Sequence, residues 1–117
     1  MGTKSNFHVR IDSRVKKEDL PQLSKEMQTD FEEIFVPLLG EDPYTCKNLF
    51  PNHDLEWKLE GWKALEIDLE ENGYRECYRL VYKITDTNNI KTVEIISFGL
   101  HDPAYDRANE RVSARRR

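Results

Sequence analysis

The feature of this chain that most restricts its fold is a block of three strand-like runs with almost nothing between them. Leu65, Ile67 and Leu69 alternate with Glu66 and Asp68, Tyr78 to Ile84 forms a second apolar-rich run, and Val93 to Phe98 forms a third. Asn72 and Gly73, a pair suited to a tight hairpin turn, separate the first two runs, and Asp86 to Asn89 separates the second from the third. A parallel crossover needs about a dozen residues, so links this short predict antiparallel neighbours in a three-stranded meander. Such a sheet has an apolar face that another part of the chain must cover.

The cover lies upstream. Leu20, Leu23, Met27, Phe31, Ile34 and Leu38 recur at intervals of three or four and predict one helical stripe about four turns long. Pro21 or Ser24 suits its start, and Pro37, Gly40 and Pro43 its end. Before it, Phe7, Val9 and Ile11 alternate with His8, Arg10 and Asp12, the pattern of a half-buried strand. Glu41 to Lys58 carries Pro43, Asn48, Pro51, Asn52 and Asp54, which predicts turns and a short broken helical piece leading back to the sheet. Trp57 and Trp62 bracket Gly61 just before the second run, and aromatic residues entering a sheet are read as completing the core. From Pro103, the spacing of Ala104, Tyr105, Ala108 and Val112 predicts a short final helix with a frayed basic tail at 113–117. The expected fold is α+β: a small antiparallel sheet, made of an N-terminal strand plus the C-terminal meander, packed against a long N-terminal helix, with a short C-terminal helix.

At 117 residues there is room for one core, so a single domain over 1–117 is expected. No run approaches the roughly 18 apolar residues that cross a bilayer, and the chain reads as soluble and cytoplasmic, with no membrane partner. Cys46 and Cys77 lack CxxC spacing and are expected as reduced thiols, one or both packed inside. His8, His53 and His101 show no ligand pattern, so no metal site is expected; no glycine-rich phosphate loop or nucleophile elbow is present either. Glu66, Asp68, Glu70 and Glu71 read as the wet face of a strand and its turn. The net charge of −4 is unevenly placed: Arg107 to Arg117 holds five arginines and one glutamate, a basic patch for a phosphate or an acidic partner on an otherwise acidic chain.

Two stretches carry a resemblance. Tyr78-Arg79-Leu80-Val81-Tyr82-Lys83-Ile84, a polar turn, a hydrophobic strand and then Gly99-Leu100-His101-Asp102-Pro103-Ala104-Tyr105 resemble the third and fourth strands and C-terminal segment of RelE/ParE toxins. Glu18-Asp19-Leu20-Pro21-Gln22-Leu23 resembles that superfamily's early segment. The resemblance to the mRNA interferase branch implies the toxin of a type II toxin-antitoxin system, a ribosome-dependent endoribonuclease that works without metal or small-molecule cofactor. Its implied partners are a cognate antitoxin, mRNA and the ribosome.

The implied chemistry is attack of a ribose 2′-hydroxyl on the adjacent phosphate, which needs a proton acceptor, charge stabilisation and a proton donor. By resemblance, Arg79 binds the phosphate, because its fixed fork of donors suits bidentate contact. His101 stands where many members carry arginine, and a histidine there can donate a proton near neutral pH. Tyr105 stacks on a base or assists proton transfer. Lys58, Lys63, Arg75 and Lys83 are the candidate RNA-binding residues. The second strand departs from the family pattern, with Glu66 and Asp68 where ribosome-dependent members present lysines, so two other functions stand beside the first. One is a ParE-like DNA gyrase inhibitor, the other a non-catalytic toxin-fold binding protein.

Overall fold

Residues 6–71 and 74–115 are described by the computed structural model, the side chains of residues 71–75 excepted. The chain starts with β1 (His8–Ile11) and passes through a π-helical turn at Val15–Asp19 and a 3-10 turn at Leu20–Gln22. It continues with α1 (Lys25–Asp30), a π-helical turn at Phe31–Phe35 and α2 (Val36–Glu41). A 3-10 turn at Cys46–Asn48 leads to β2 (Asn52–Asp54), and another at Trp57–Leu59 leads to β3 (Lys63–Glu71). Then follow β4 (Tyr74–Asp86), β5 (Lys91–Leu100) and α3 (His101–Arg115).

The meander is present as expected: β3, β4 and β5 pair antiparallel, and Thr87 to Ile90 form the second link. The first turn, at Asn72 and Gly73, lies outside the described residues. The sheet as a whole is mixed, not antiparallel. Its order is β1-β5-β4-β3-β2, and β1 lies parallel to β5, with Val9 opposite Val93 and Ile11 opposite Ile95. The physical reason is that β1 and β5 are joined through the helices and three other strands, so no short link forces them antiparallel. The expected connection at Glu41 to Lys58 also contributes an edge strand, β2, too short to carry a period-2 signal.

The long helix is interrupted. Ser24 caps α1 by accepting a hydrogen bond from the Met27 amide at 3.1 Å, while Pro21 belongs to the preceding 3-10 turn. The turn at Phe31–Phe35 carries more residues than an α-turn, so Phe35 follows Met27 and Phe31 onto the buried row and Ile34 turns outward, 44% exposed. Phe31 stacks on Phe98 of β5 with ring centroids 5.0 Å apart. Leu65, Ile67, Leu80 and Tyr82 complete this core, and the buried Tyr82 hydroxyl donates to the Pro43 carbonyl at 2.7 Å.

The opposite face of the sheet is covered by α3, fifteen residues long and not the short helix expected. It starts two residues before Pro103, which a helix tolerates in its first turn because no intrahelical N–H bond is due there. Ala104 and Ala108 are fully buried and let the helix backbone approach the sheet closely. A bulge in β5 helps. Val81 faces Ser97 and Tyr82 faces Ile95, which leaves Ile96 without an opposite residue. Ile96 packs with Val81, Ala108 and Val112, and the Ser97 hydroxyl donates to the Ala104 carbonyl at 2.7 Å.

The basic C-terminal segment is largely engaged within the molecule. Arg107, Arg111 and Arg115 recur every fourth residue and so share one stripe of α3. Arg107 lies 3.3 Å from Asp19, Arg111 binds Asp19 through both terminal nitrogens, and Arg115 pairs with Asp12 and Glu94. For these three arginines the expected basic patch is corrected to a set of ion pairs within the chain, and Arg115 is helical rather than frayed; Arg116 and Arg117 lie outside the described residues. Cys46 is buried and Cys77 half-buried, both as free thiols. Among the described residues, no helix is long and apolar enough to cross a membrane.

Candidate functional site

Strand alternation on β4 puts Arg79 on the α3 side of the sheet, next to the first turn of α3. The register pairs Arg79 with Glu66 on one side and Gly99 on the other, and Glu66 and Asp68 share its face. Arg79 is only 8% exposed. Its Nη1 donates to Asp68 Oδ1 and to the Tyr78 carbonyl, both at 2.8 Å, and its Nη2 lies 3.6 Å from Glu66 Oε1. Nε is buried with no hydrogen-bond partner among the described residues. An unmet buried N–H is unfavourable by about 1–3 kcal/mol, so Nε retains an unused hydrogen-bond donor. Burial opposes the guanidinium charge, but the hydrogen bond and charge of Asp68, with further help from Tyr105 and Glu66, raise its pKa above the ordinary value.

Tyr105 sits one turn into α3, half-buried against this cluster. Burial raises its phenol pKa above the ordinary range; Arg79, close enough to hydrogen-bond it, works in the opposite direction and only partly offsets this. At neutral pH the hydroxyl therefore keeps its proton and can donate it. His101, at the first residue of α3 and half-exposed, sets its ring edge-on to Tyr105, with centroids 4.8 Å apart and planes at 77°. Nδ1 of His101 lies 2.8 Å from Asp102 Oδ1, and Nδ1 of His53 lies 3.1 Å from Glu66 Oε2.

Arg79, Tyr105 and His101 are thus brought together as a chain of neighbours along one face. The described candidate RNA-binding residues lie apart from this cluster, around the start of β3. Lys63 pairs with Asp54 at 3.0 Å, Lys83 holds its ammonium 5.8 Å from the centre of the Trp62 ring, and Lys58 is exposed on the turn at Trp57–Leu59. The Arg75 side chain lies outside the described residues.

Two members of the cluster, Glu66 and Asp68, were read from sequence as a solvated face, yet both carboxylates converge on Arg79. The signal was available: a hairpin centred on Asn72 and Gly73 pairs Glu66 with Arg79, and period-2 alternation places Asp68 on the same side. His53 gave no such signal, because its position depends on the edge strand β2.

No protein-family model matches the chain, and no curated protein matches it in sequence. Among solved structures, the free form of an arginine-to-alanine double mutant of the E. coli toxin RelE matches with a TM-score of 0.56 and 20% sequence identity, over 90% of this chain and 96% of that one. The chain has a RelE-like fold. The RelE-like α+β architecture expected from sequence is present, with the differences in sheet and helices described above.

Proposed function

We propose that this chain is the toxin of a type II toxin-antitoxin pair and acts as a ribosome-dependent endoribonuclease. The observation that carries the reading is a buried arginine with a partnerless Nε, flanked by a neutral phenol, a histidine and a carboxylate on a RelE-like scaffold. In this reading a phosphate oxygen takes the Arg79 Nε–H and competes with Asp68 and Glu66 for the rest of the fork. Glu66, steadied by His53, accepts the 2′-hydroxyl proton as the O2′–P bond forms. His101 protonates the 5′-oxygen as the P–O5′ bond breaks, leaving a 2′,3′-cyclic phosphate and a 5′-hydroxyl. Tyr105 supplies a hydroxyl donor and an aromatic surface. Lys58 and Lys83 are the lysines left to contact the RNA backbone further out, Lys63 being held by Asp54, and a cognate antitoxin covers the face in the resting complex.

One observation favours a second reading, a toxin-fold binding protein without catalysis. Asp68 and Glu66 already balance the Arg79 charge. The two readings separate on purified protein incubated with ribosomes translating a defined message. The first predicts codon-dependent cleavage reduced about 10²-fold or more by His101→Ala and by Glu66→Gln, the range for loss of a general acid or base. An intact message with the unsubstituted protein would refute it.

A further inference from the structure

Away from Arg79, at the end of the sheet where β2, β3 and β4 meet, lies an open cleft of about 1070 Å³. Its most unusual member is Trp57, which is 89% exposed, although the sequence placed it in the core alongside Trp62. Trp62 is buried as expected, at 5%. Trp57 also holds a φ of 59°, a conformation rarely adopted by bulky residues. Its turn is firmly pinned by backbone bonds. The Glu60 amide donates to the Trp57 carbonyl at 3.1 Å, Leu59 to Glu56 at 3.1 Å, and Leu55 to Trp62 at 2.9 Å. The ring is therefore displayed on a rigid frame, with Leu55, Tyr44 and Ile84 supplying further apolar surface in the cleft.

The rim is acidic. Asp54, Glu56 and Glu60 line it against a single lysine, Lys63, whose charge is taken by Asp54 at 3.0 Å. The side-chain carboxylates of Glu56 and Glu60 have no hydrogen-bond or ion-pair partner among the described residues, and Asp86 stands behind Tyr44, whose hydroxyl donates to it at 2.8 Å. Such a rim repels a phosphate backbone and attracts cations. The neighbouring indole already receives one, since Lys83 lies over Trp62. A guanidinium flat on the Trp57 face with its edge toward Glu56 or Glu60 gains both stacking and ion pairing.

We propose that this cleft is a docking site for a basic, partly apolar peptide segment of a partner protein, with an arginine seated on Trp57 and an aliphatic side chain against Leu55 and Ile84. The inference holds whether or not Arg79 acts on RNA.

The probe is a peptide of three Ala-Arg-Leu units, titrated into the full chain by calorimetry and tryptophan fluorescence. Binding that blue-shifts the exposed tryptophan is expected. It should weaken about 30-fold or more in Trp57→Ala, the size of an interface hot spot, and about 10-fold in Glu56→Gln with Glu60→Gln. Both variants alter exposed side chains, so their melting temperatures should match the parent. A peptide with glutamate in place of arginine should not bind. Three results would overturn the proposal: peptide binding insensitive to Trp57→Ala, tighter Trp57-dependent binding of oligouridine than of the peptide, or a Trp57-dependent dimer in sedimentation that excludes the peptide.

Discussion

Arg111 and Arg79 both lie between the sheet and α3, both are nearly buried, and both face carboxylates, yet their surroundings differ in kind. Arg111 meets Asp19 with two parallel bonds of 2.8 and 2.7 Å and gives a third to the Ile96 carbonyl at 2.9 Å. Asp19 is fully buried and also accepts the Phe98 amide at 3.0 Å. Each group in that set has its partners, and the set ties the turn before α1, strand β5 and helix α3 into one unit. Arg79 has carboxylates on one side only, 29% and 30% exposed, and an Nε with no partner among the described residues. In both cases burial alone would lower the arginine pKa and the carboxylates outweigh it, so charge state does not distinguish them. What distinguishes them is closure: Arg111 is a finished lock, whereas Arg79 retains an Nε–H that no described residue meets.

Breaking the lock is expected to have the largest effect. Arg111→Ala strands the buried Asp19 carboxylate and should lower stability by about 3–5 kcal/mol in urea denaturation. Asp19→Leu with Arg111→Met should recover part of that loss but not all of it, because the Phe98 amide then lacks its acceptor. If Arg111→Ala melts like the parent, the buried pair is not the lock described.

Removing Arg79 should invert the balance. Asp68 and Glu66 can hydrate in place, so Arg79→Ala is expected to change stability by only about 1 kcal/mol. Cleavage on ribosomes should fall about 10²-fold or more, the range for loss of a donor to a developing anion. Arg79→Lys should not rescue it, since a single ammonium cannot span the fork. A loss of stability as large as that of Arg111→Ala would place Arg79 among the structural arginines instead.

A finer test opens the site without emptying it. Asp68→Asn removes a competitor for Nη1 and should tighten binding of a single-stranded oligonucleotide about 5-fold, the value of one hydrogen bond near 1 kcal/mol. Affinity unchanged in a fluorescence-anisotropy titration would mean that Asp68 does not restrain the site.

The smallest effect concerns Asp12, whose carboxyl is held well below the usual range, first by its hydrogen bonds to Arg14. Its folded pKa is lower than its unfolded one, so its stabilisation is present at neutral pH and is lost as pH falls below about 4. Urea midpoints measured from pH 7 to pH 3 should decline in that window, and Asp12→Asn should flatten the decline by about 1 kcal/mol.

The comparison also marks what the sequence could convey. The meander was legible because period-2 alternation and short links are local signals, and the same alternation put Arg79 on a defined face. The Arg107, Arg111 and Arg115 stripe was equally visible as spacing, but Asp19 lies 92 residues from Arg111 and Asp12 lies 103 from Arg115, beyond any local pattern. Thus spacing alone reads as a basic patch where Arg107, Arg111 and Arg115 in fact close a set of ion pairs. The parallel pairing of β1 and the extra turn residue that swaps Phe35 for Ile34 are likewise tertiary outcomes with no local signature. Glu66 and Asp68 do keep contact with water, as carboxylates on a strand ordinarily do; what the hairpin register adds is their convergence on Arg79.

The central claim, that Arg79 awaits an oxygen ligand and Arg111 does not, can be read directly from the arginine Nε–H signals in a ¹⁵N-resolved NMR titration. The ligand would be a short RNA blocked at the 2′-oxygen so that it cannot be cleaved. The Arg79 Nε–H signal, assigned through Arg79→Lys, should shift progressively toward a hydrogen-bonded position while that of Arg111 stays fixed. An Arg79 signal that does not move at saturating RNA, or one that moves together with Arg111, would contradict it.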